Sequence, residues 1–237
     1  MTETRRRTLH GRRRGKKLRA GQQGLLDTLL PRLQLAIPES GSGSGPASGT
    51  IDLAAAFGGK LPPGGVWLEV GFGSGEHLVW QAGQNPEVGL IGCEPYINGV
   101  AKCLAHIERA GVANIRLFTD DARFVIAALP PRSLDRVFVL FPDPWPKTRH
   151  HKRRFVQRAT LDALAPVMMP GAELRLATDD PSYLPWMVEH ACRHPAFEWL
   201  AERPGDWRRR PADWPATRYE QKMLAGRSPV FLRLRRR

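Results

Sequence analysis

The sequence predicts an α/β fold in which a mostly parallel, doubly wound sheet of seven strands carries helices on both faces. From about Ile51 onward, short apolar runs alternate with longer helical stretches, which is typical of parallel strands joined by right-handed crossovers. The first apolar run ends in an acid and three alternate glycines, a pattern found at the ligand-binding edge of such sheets. A chain of 237 residues accommodates one such domain with an appendage.

The strands are predicted from short apolar runs bounded by turn residues. They span Val66 to Val70, Val88 to Cys93, Ile115 to Thr119, Arg136 to Phe141, Glu173 to Thr178, Phe197 to Ala201 and Val230 to Leu234. The clearest helices span Tyr96 to Ala110, Arg153 to Val167 and Pro181 to Arg193. Ligands of such sheets bind beyond the carboxyl ends of the strands, so the residues there are the candidate site residues.

Two segments precede the main domain. Residues 1–37 form a basic N-terminal arm, and nine of its Lys and Arg residues fall within the first twenty positions against one acid, Glu3. Because this stretch is too charged to be buried, we expect it to be partly disordered or ordered by a partner. Residues 38–49, PESGSGSGPASG, are expected to form a flexible linker, and residues 50–237 the main domain.

Charge and apolar patterning limit the class of protein. The 36 Lys and Arg residues outnumber the 23 Asp and Glu residues, and the resulting net charge of +13 is typical of a nucleic-acid binder. No run of about 18 apolar residues occurs, so we expect no membrane span and a cytoplasmic location. His190, Cys192 and His194 lack a second ligand pair at zinc spacing, so no metal is expected.

The run LEVGFGSGEHL, from Leu68 to Leu78, indicates a small-molecule site. Its glycines, Gly71, Gly73 and Gly75, have GxGxG spacing rather than the GxGxxG of dinucleotide sites. Glu69 would repel a pyrophosphate but attract the ammonium group of an amino-acid moiety. The pattern therefore favours S-adenosylmethionine over NAD, and a turn selected for its geometry alone is the alternative.

Acids also follow the next three predicted strands. Glu94 follows the second strand, where a carboxylate can accept from ribose hydroxyls. Asp120 and Asp121 follow the third strand, where an acid can accept from the adenine amine or can cap the next helix. Three prolines fix the backbone around Asp143 and Trp145 after the fourth strand, and Trp145 can either stack on a base or pack under the loop.

A basic run follows this proline-rich loop. It contains Lys147, Arg149, His150, His151, Lys152, Arg153 and Arg154. A charge run is often only a solvated surface, but one beside a pocket suits contacts with phosphates.

Six motifs in this order resemble the bacterial tRNA (guanine-N7-)-methyltransferase family, S-adenosylmethionine-dependent enzymes with a Rossmann-like class I methyltransferase fold. The resemblance covers most of residues 50–237. The motifs are LEVGFGSGEHL, GCEP at Gly92 to Pro95, FPDPWPK at Phe141 to Lys147, the following HHKRR, ATD at Ala177 to Asp179 and TRYE at Thr217 to Glu220.

The resemblance implies a methyl transfer from S-adenosylmethionine to N7 of a guanine in the variable loop of tRNA. The residues implied to bind the cofactor are Glu69, Gly71, Gly73, Gly75, Glu94, Asp121, Ala122 and Asp143, of which Asp143 also faces the methyl-transfer centre as the catalytic residue. Those implied to bind the substrate are Lys147, Asp179, Thr217, Arg218, Tyr219 and Glu220. Asp120 beside Asp121, and Asp180 beside Asp179, leave two of these assignments ambiguous by one residue.

Three other functions stay open on the sequence. A methyltransferase acting on an exocyclic amine would keep the fold and change the acceptor. The GxGxG spacing and Glu69 disfavour an NAD-dependent oxidoreductase, and the acids at the strand ends disfavour a non-catalytic RNA-binding protein. The expected partner is tRNA, and a monomer is expected because no association patch stands out.

Overall fold

The computed structural model describes residues 11–38, 49–215, 220 and 228–237. Strands β1 to β7 span Val66–Val70, Gly89–Cys93, Ile115–Phe118, Leu134–Leu140, Met168–Thr178, Phe197–Trp199 and Val230–Arg236. Helices α1 to α9 span Ala20–Thr28, Leu30–Leu33, Leu53–Ala56, Glu76–Gln84, Ile97–Ala110, Ala122–Ala128, Arg158–Val167, Tyr183–Met187 and Gly205–Arg208. A 3-10 helix spans Thr148–Arg153, and a π-helical turn spans Val188–Cys192. None of the described helices combines the length and apolar character needed to cross a bilayer.

The strands form one sheet in the order β3-β2-β1-β4-β5-β7-β6. Strands β1 to β5 pair in parallel, and β7 pairs antiparallel with both β5 and β6. The predicted α/β fold with a seven-stranded, mostly parallel sheet is confirmed. The direction of winding reverses between β1 and β4, which is where ligands of doubly wound sheets bind.

The alternation of side chains along β1 distributes them between two cores. Val66, Leu68 and Val70 pack on the face that also carries α6 and α7. Trp67 packs on the other face with α4 and α5. Because Glu69 lies two residues after Trp67, it points towards the α4 side of the sheet.

Helix α5 is amphipathic, and its buried stripe fixes its position on the sheet. Val100, Leu104 and Ile107 are all buried at helical spacing, and each contributes about 1.5 to 3 kcal/mol of hydrophobic stabilisation. The helix ends at Gly111, whose φ of +64° suits the left-handed cap that glycine adopts without strain.

The segment before the linker covers the edge of the sheet beside β3. Gln34 forms a parallel bridge with Leu117, and the Leu35 N–H donates to the Leu117 carbonyl oxygen at 2.8 Å. Leu33 and Leu35 are buried, and α1 packs against α5. An exposed strand edge is an aggregation hazard, so this cover protects β3.

Some elements differ from their predicted bounds. Helix α7 begins at Arg158 rather than Arg153, because a 3-10 turn comes first and the following Val156 is buried in the core. The helix predicted from Pro181 to Arg193 is divided into α8 and the π-helical turn. Strand β5 begins earlier than predicted, at Met168, where it pairs with Leu134.

Candidate active site

The sheet register brings the predicted site loops to one edge. Val70, the last residue of β1, pairs with Cys93 of β2 and Val139 of β4. The Phe141 N–H donates to the Ala177 carbonyl oxygen at 2.9 Å, which keeps the ends of β4 and β5 together. The segments after β1, β2, β4 and β5 therefore surround one crevice.

The glycine loop after β1 leaves open space above the sheet. Gly71 and Gly73 have φ values of +72° and +58°, and a Cβ built on either meets no atom within 4 Å. At Gly75, by contrast, a Cβ would lie 2.6 Å from the Cβ of Cys103 on α5. Gly75 thus permits close helix packing, whereas Gly71 and Gly73 let a ligand approach the backbone.

Glu94 holds this loop in place. Its Oε2 accepts from the Gly73 N–H at 2.9 Å, and its Oε1 accepts from the Tyr96 N–H at 2.9 Å. Burial raises the pKa of the Glu94 carboxyl, the two backbone donors oppose the rise, and the nearby charges of Asp143 and Glu69 add to it. The charges of Glu69 and Asp143 therefore act on the Glu94 carboxyl at this edge of the sheet.

Glu69 is buried and has a partner that the sequence analysis missed. Nδ1 of His77 lies 2.7 Å from Glu69 Oε2, and Nε2 of His77 lies 3.1 Å from Nε2 of Gln81. His77 and Gln81 are four residues apart on α4, a spacing that places two polar side chains on one helix face. That spacing was the available sequence signal.

The two acids after β3 have separate partners. Asp121 caps α6 by accepting from the Arg123 N–H at 3.0 Å, and it also pairs with the Arg123 guanidinium at 2.9 Å. Asp120 pairs with Arg13 of the N-terminal arm at 2.8 Å. Ala122 is buried as the first residue of α6.

The loop that carries Asp143 has an unusual backbone. Phe141 and Trp145 on either side of it have φ values of +50° and +45°, which cost of order 1 to 3 kcal/mol each in residues other than glycine. Asp143 lies at the surface of the crevice, and desolvation raises the pKa of its carboxyl. Trp145 is half-buried, with the Arg153 guanidinium 5.0 Å from its ring centroid.

The interpretation of the whole basic run as a phosphate surface is wrong for Arg154. This side chain is 1% exposed, and its Nε donates to the Pro144 carbonyl oxygen at 2.7 Å. Its Nη2 donates to Ser182 Oγ at 2.9 Å, beyond the end of β5. Arg154 therefore ties together two loops of the crevice, whereas Lys147 and Arg149 are exposed to solvent.

The acids considered for the substrate side of the site lie directly after β5 and at Glu220. Asp180 Oδ1 accepts from Ser182 and Tyr183 and closes the turn before α8. Asp179 is half-buried directly after β5. Glu220 is buried and pairs with Arg210 at 2.9 Å. Thr217, Arg218 and Tyr219 lie outside the described residues.

Burial disfavours the thiolate form of all three cysteines. Cys93 and Cys103 are buried, and burial raises the pKa of both thiols. Burial also raises the pKa of Cys192 to about 11. Within the described ranges, no group of three His, Cys, Asp or Glu side chains is arranged to hold a metal ion.

Comparisons with known proteins agree with this architecture. A family model described as "Putative methyltransferase" matches residues 64–232. The tRNA (guanine-N(7)-)-methyltransferase of Rhodospirillum rubrum is 52% identical over 96% of this chain and 87% of its own length. That of Paramagnetospirillum magneticum is 51% identical over 96% of this chain and 92% of its own length.

Among solved structures, TrmN from Thermus thermophilus aligns with a TM-score of 0.50 and 17% identity. The alignment covers 74% of this chain and 45% of that one. At this level of identity, the likeness concerns the fold alone.

Proposed function

Because the chain belongs to the tRNA (guanine-N(7)-)-methyltransferase family, we propose that it transfers a methyl group from S-adenosyl-L-methionine to N7 of a guanine in tRNA. The observation that carries this proposal is the alignment with enzymes of that name. They are 51% and 52% identical to this chain, and the alignments cover 96% of it and 87% or more of each relative. A tRNA substrate also accords with the clustered positive charge, and it would imply a cytoplasmic location.

The residues of the crevice fit the proposed cofactor. The open space at Gly71 and Gly73 accommodates a ligand against the backbone, and the buried Glu69 offers a carboxylate for an ammonium group. Glu94 is suited to ribose hydroxyls, since each carboxylate oxygen retains a second lone-pair site besides its backbone donor.

The adenine end would lie beside α6. Asp121 keeps acceptor capacity beyond its contacts with Arg123, and Ala122 begins a helix whose first N–H groups have no intrahelical acceptor. These two residues can therefore bind the amine and a ring nitrogen of adenine. Asp120 and Asp121 each pair with an arginine, but Asp121 directly precedes Ala122 at the start of α6, which favours Asp121 for this role.

The proposed reaction needs no general base from the chain. When bound, S-adenosylmethionine supplies an electrophilic methyl group on its sulfonium. Guanine N7 carries an unprotonated lone pair, and the methylated base acquires a positive charge. Asp143, held in its strained loop, would stabilise that charge, and Asp179, which follows the neighbouring strand β5, is a second acid at this edge of the sheet.

The N-terminal arm provides a basic surface beside this crevice. The Arg13 carbonyl oxygen accepts from the Ile97 N–H at 3.0 Å, and the Gly15 N–H donates to Asn98 Oδ1 at 2.7 Å. Arg14, Lys16 and Lys17 are exposed and line a cleft of about 400 Å³ against α1 and α5. These cations are suited to tRNA phosphates, as is Lys147.

Two measurements test the proposed function. Equilibrium titration should show binding of S-adenosylmethionine and none of NAD. Incubation with labelled S-adenosylmethionine should then transfer label to unmodified tRNA. Absence of label on tRNA from a chain that binds the cofactor would overturn the enzyme assignment and favour an RNA-binding role.

A further inference from the structure

Glu69 and His77 form a buried pair on one face of the sheet. Their side chains are 4% and 2% exposed, and the His77 ring packs edge-on against Phe138, whose centroid is 4.7 Å away. Phe138 is the register partner of Glu69 on β4, so sheet and helix together fix the ring. The contact with Phe138 therefore restricts the position of the His77 ring between the sheet and α4.

Gln81 determines which nitrogen of His77 carries the proton. Gln81 Nε2 lies 2.8 Å from the carbonyl oxygen of Asp213, which can only accept, so this nitrogen is the donor. Gln81 Oε1 accepts from Asn85 Nδ2 at 3.3 Å, which gives the same amide orientation. The second amide hydrogen then points to His77 Nε2 at 3.1 Å, and that nitrogen must accept.

The proton of His77 is thereby confined to Nδ1, from which it donates to Glu69 Oε2 at 2.7 Å. An imidazolium would set an Nε2–H against the amide hydrogens of Gln81, two donors facing each other. A neutral imidazole leaves the negative charge of Glu69 uncancelled while fixing the direction of its carboxylate.

We propose that His77 is a positioning residue that orients Glu69 towards the ammonium group of the cofactor, and that Gln81 keeps His77 in its neutral Nδ1–H form. The inference rests on the proposed function, because that function supplies a ligand with an ammonium group. A charged acid in a site shielded from water binds a cation more strongly than an acid already neutralised by a protonated histidine.

The direct test is nitrogen-15 NMR of the full chain labelled in histidine, with His77→Asn used to assign the His77 signals. The expected spectrum at neutral pH shows a protonated Nδ1 and an unprotonated Nε2. An Nε2–H tautomer or an imidazolium would overturn the proposal. In Gln81→Glu, whose carboxylate can accept from Nε2–H, the signals should shift to those of an imidazolium.

Binding measurements separate positioning from general destabilisation. S-adenosylhomocysteine carries the amino-acid group, whereas 5′-methylthioadenosine has the same adenosine and thioether without it. His77→Leu should weaken S-adenosylhomocysteine roughly tenfold and leave methylthioadenosine unchanged. His77→Asn, whose amide can replace the Nδ1 donor, should restore most of the loss.

Equal losses for both ligands, or no rescue by His77→Asn, would overturn the positioning role. These readouts do not depend on methyl transfer to RNA. A wild-type chain that binds S-adenosylhomocysteine with the expected tautomer, but methylates no guanine N7, would overturn the proposed function alone.

Discussion

Arg154 Nε donates a hydrogen bond of 2.7 Å to the carbonyl oxygen of Pro144, ten residues earlier in the chain. The same guanidinium lies 4.8 Å from the ring centroid of Tyr183, the first residue of α8. The buried Arg154 side chain therefore holds the loop that carries Asp143 and connects it to the segment after β5.

Replacement of Arg154 should loosen this loop. Arg154→Ala removes donors from two carbonyl oxygens and a hydroxyl, so it should lower the free energy of unfolding by about 2 to 4 kcal/mol and the rate of methyl transfer at least tenfold. Denaturant unfolding and single-turnover assays check both. Arg149→Ala, at an exposed position, is the control and should change the free energy of unfolding by less than about 0.5 kcal/mol. Equal losses of stability and rate at both positions would contradict the role of Arg154 in holding the loop.

The glycine loop allows a matched pair of substitutions. Gly73→Ala imposes the strain of a left-handed residue, about 1 to 2 kcal/mol, and also places a methyl group in the open space of the crevice. Gly111→Ala imposes similar strain at φ +64° in open space at the end of α5. We expect comparable losses of stability, with loss of cofactor affinity only in Gly73→Ala by isothermal titration. Unchanged affinity in Gly73→Ala would remove this loop from the cofactor site.

The raised pKa of Glu94 predicts how cofactor binding depends on pH. Desolvation raises this pKa above the ordinary value of 4.5, so the carboxyl gains its proton at a higher pH than an exposed glutamate. Because a protonated carboxyl is a weaker acceptor for ribose hydroxyls, affinity should fall on acidification, and the fall should begin at a higher pH than for an exposed glutamate. Glu94→Gln should bind more weakly at neutral pH and lose this part of the pH dependence. A wild-type profile in that variant would contradict the role of Glu94.

The same shift has the opposite sign for folding. Since the folded state binds the Glu94 proton more tightly, this group adds stability below the unfolded-state pKa and loses that contribution as the pH rises through the folded pKa.

The N-terminal arm should govern the salt dependence of tRNA binding. Combined substitution of Arg12, Arg14 and Lys17 by Ala should weaken tRNA binding and reduce the slope of log K against log salt by roughly 0.7 to 0.9 for each phosphate that is no longer neutralised. Arg13 is left intact because it pairs with Asp120. Lys60→Ala, an exposed lysine before β1, is the control. An unchanged slope in the triple variant would show that these three cations do not neutralise tRNA phosphates.

The sequence predicted the sheet and the acids at its edge because both depend on local patterns. A strand that carries Glu69 next to its end and is followed by glycines can be recognised within eleven residues. The supporting contacts could not be predicted in this way, since Gln81 and Asp213 meet across 132 positions of the chain. Likewise, nothing in the basic run distinguishes the buried Arg154 from the exposed Arg149, because that difference arises from contacts with Pro144, Ser182 and α8 in the folded chain.

The proposed reaction places the methyl group on N7 of guanine. The most direct measurement is incubation of the chain with S-adenosylmethionine and unmodified tRNA, followed by borohydride reduction and aniline cleavage, which breaks RNA at N7-methylguanosine. We predict a new cleavage at a guanine of the variable loop, reduced about a hundredfold or more by Asp143→Asn. Methyl label incorporated into tRNA without strand cleavage would place the methyl group on another atom and contradict the N7 assignment.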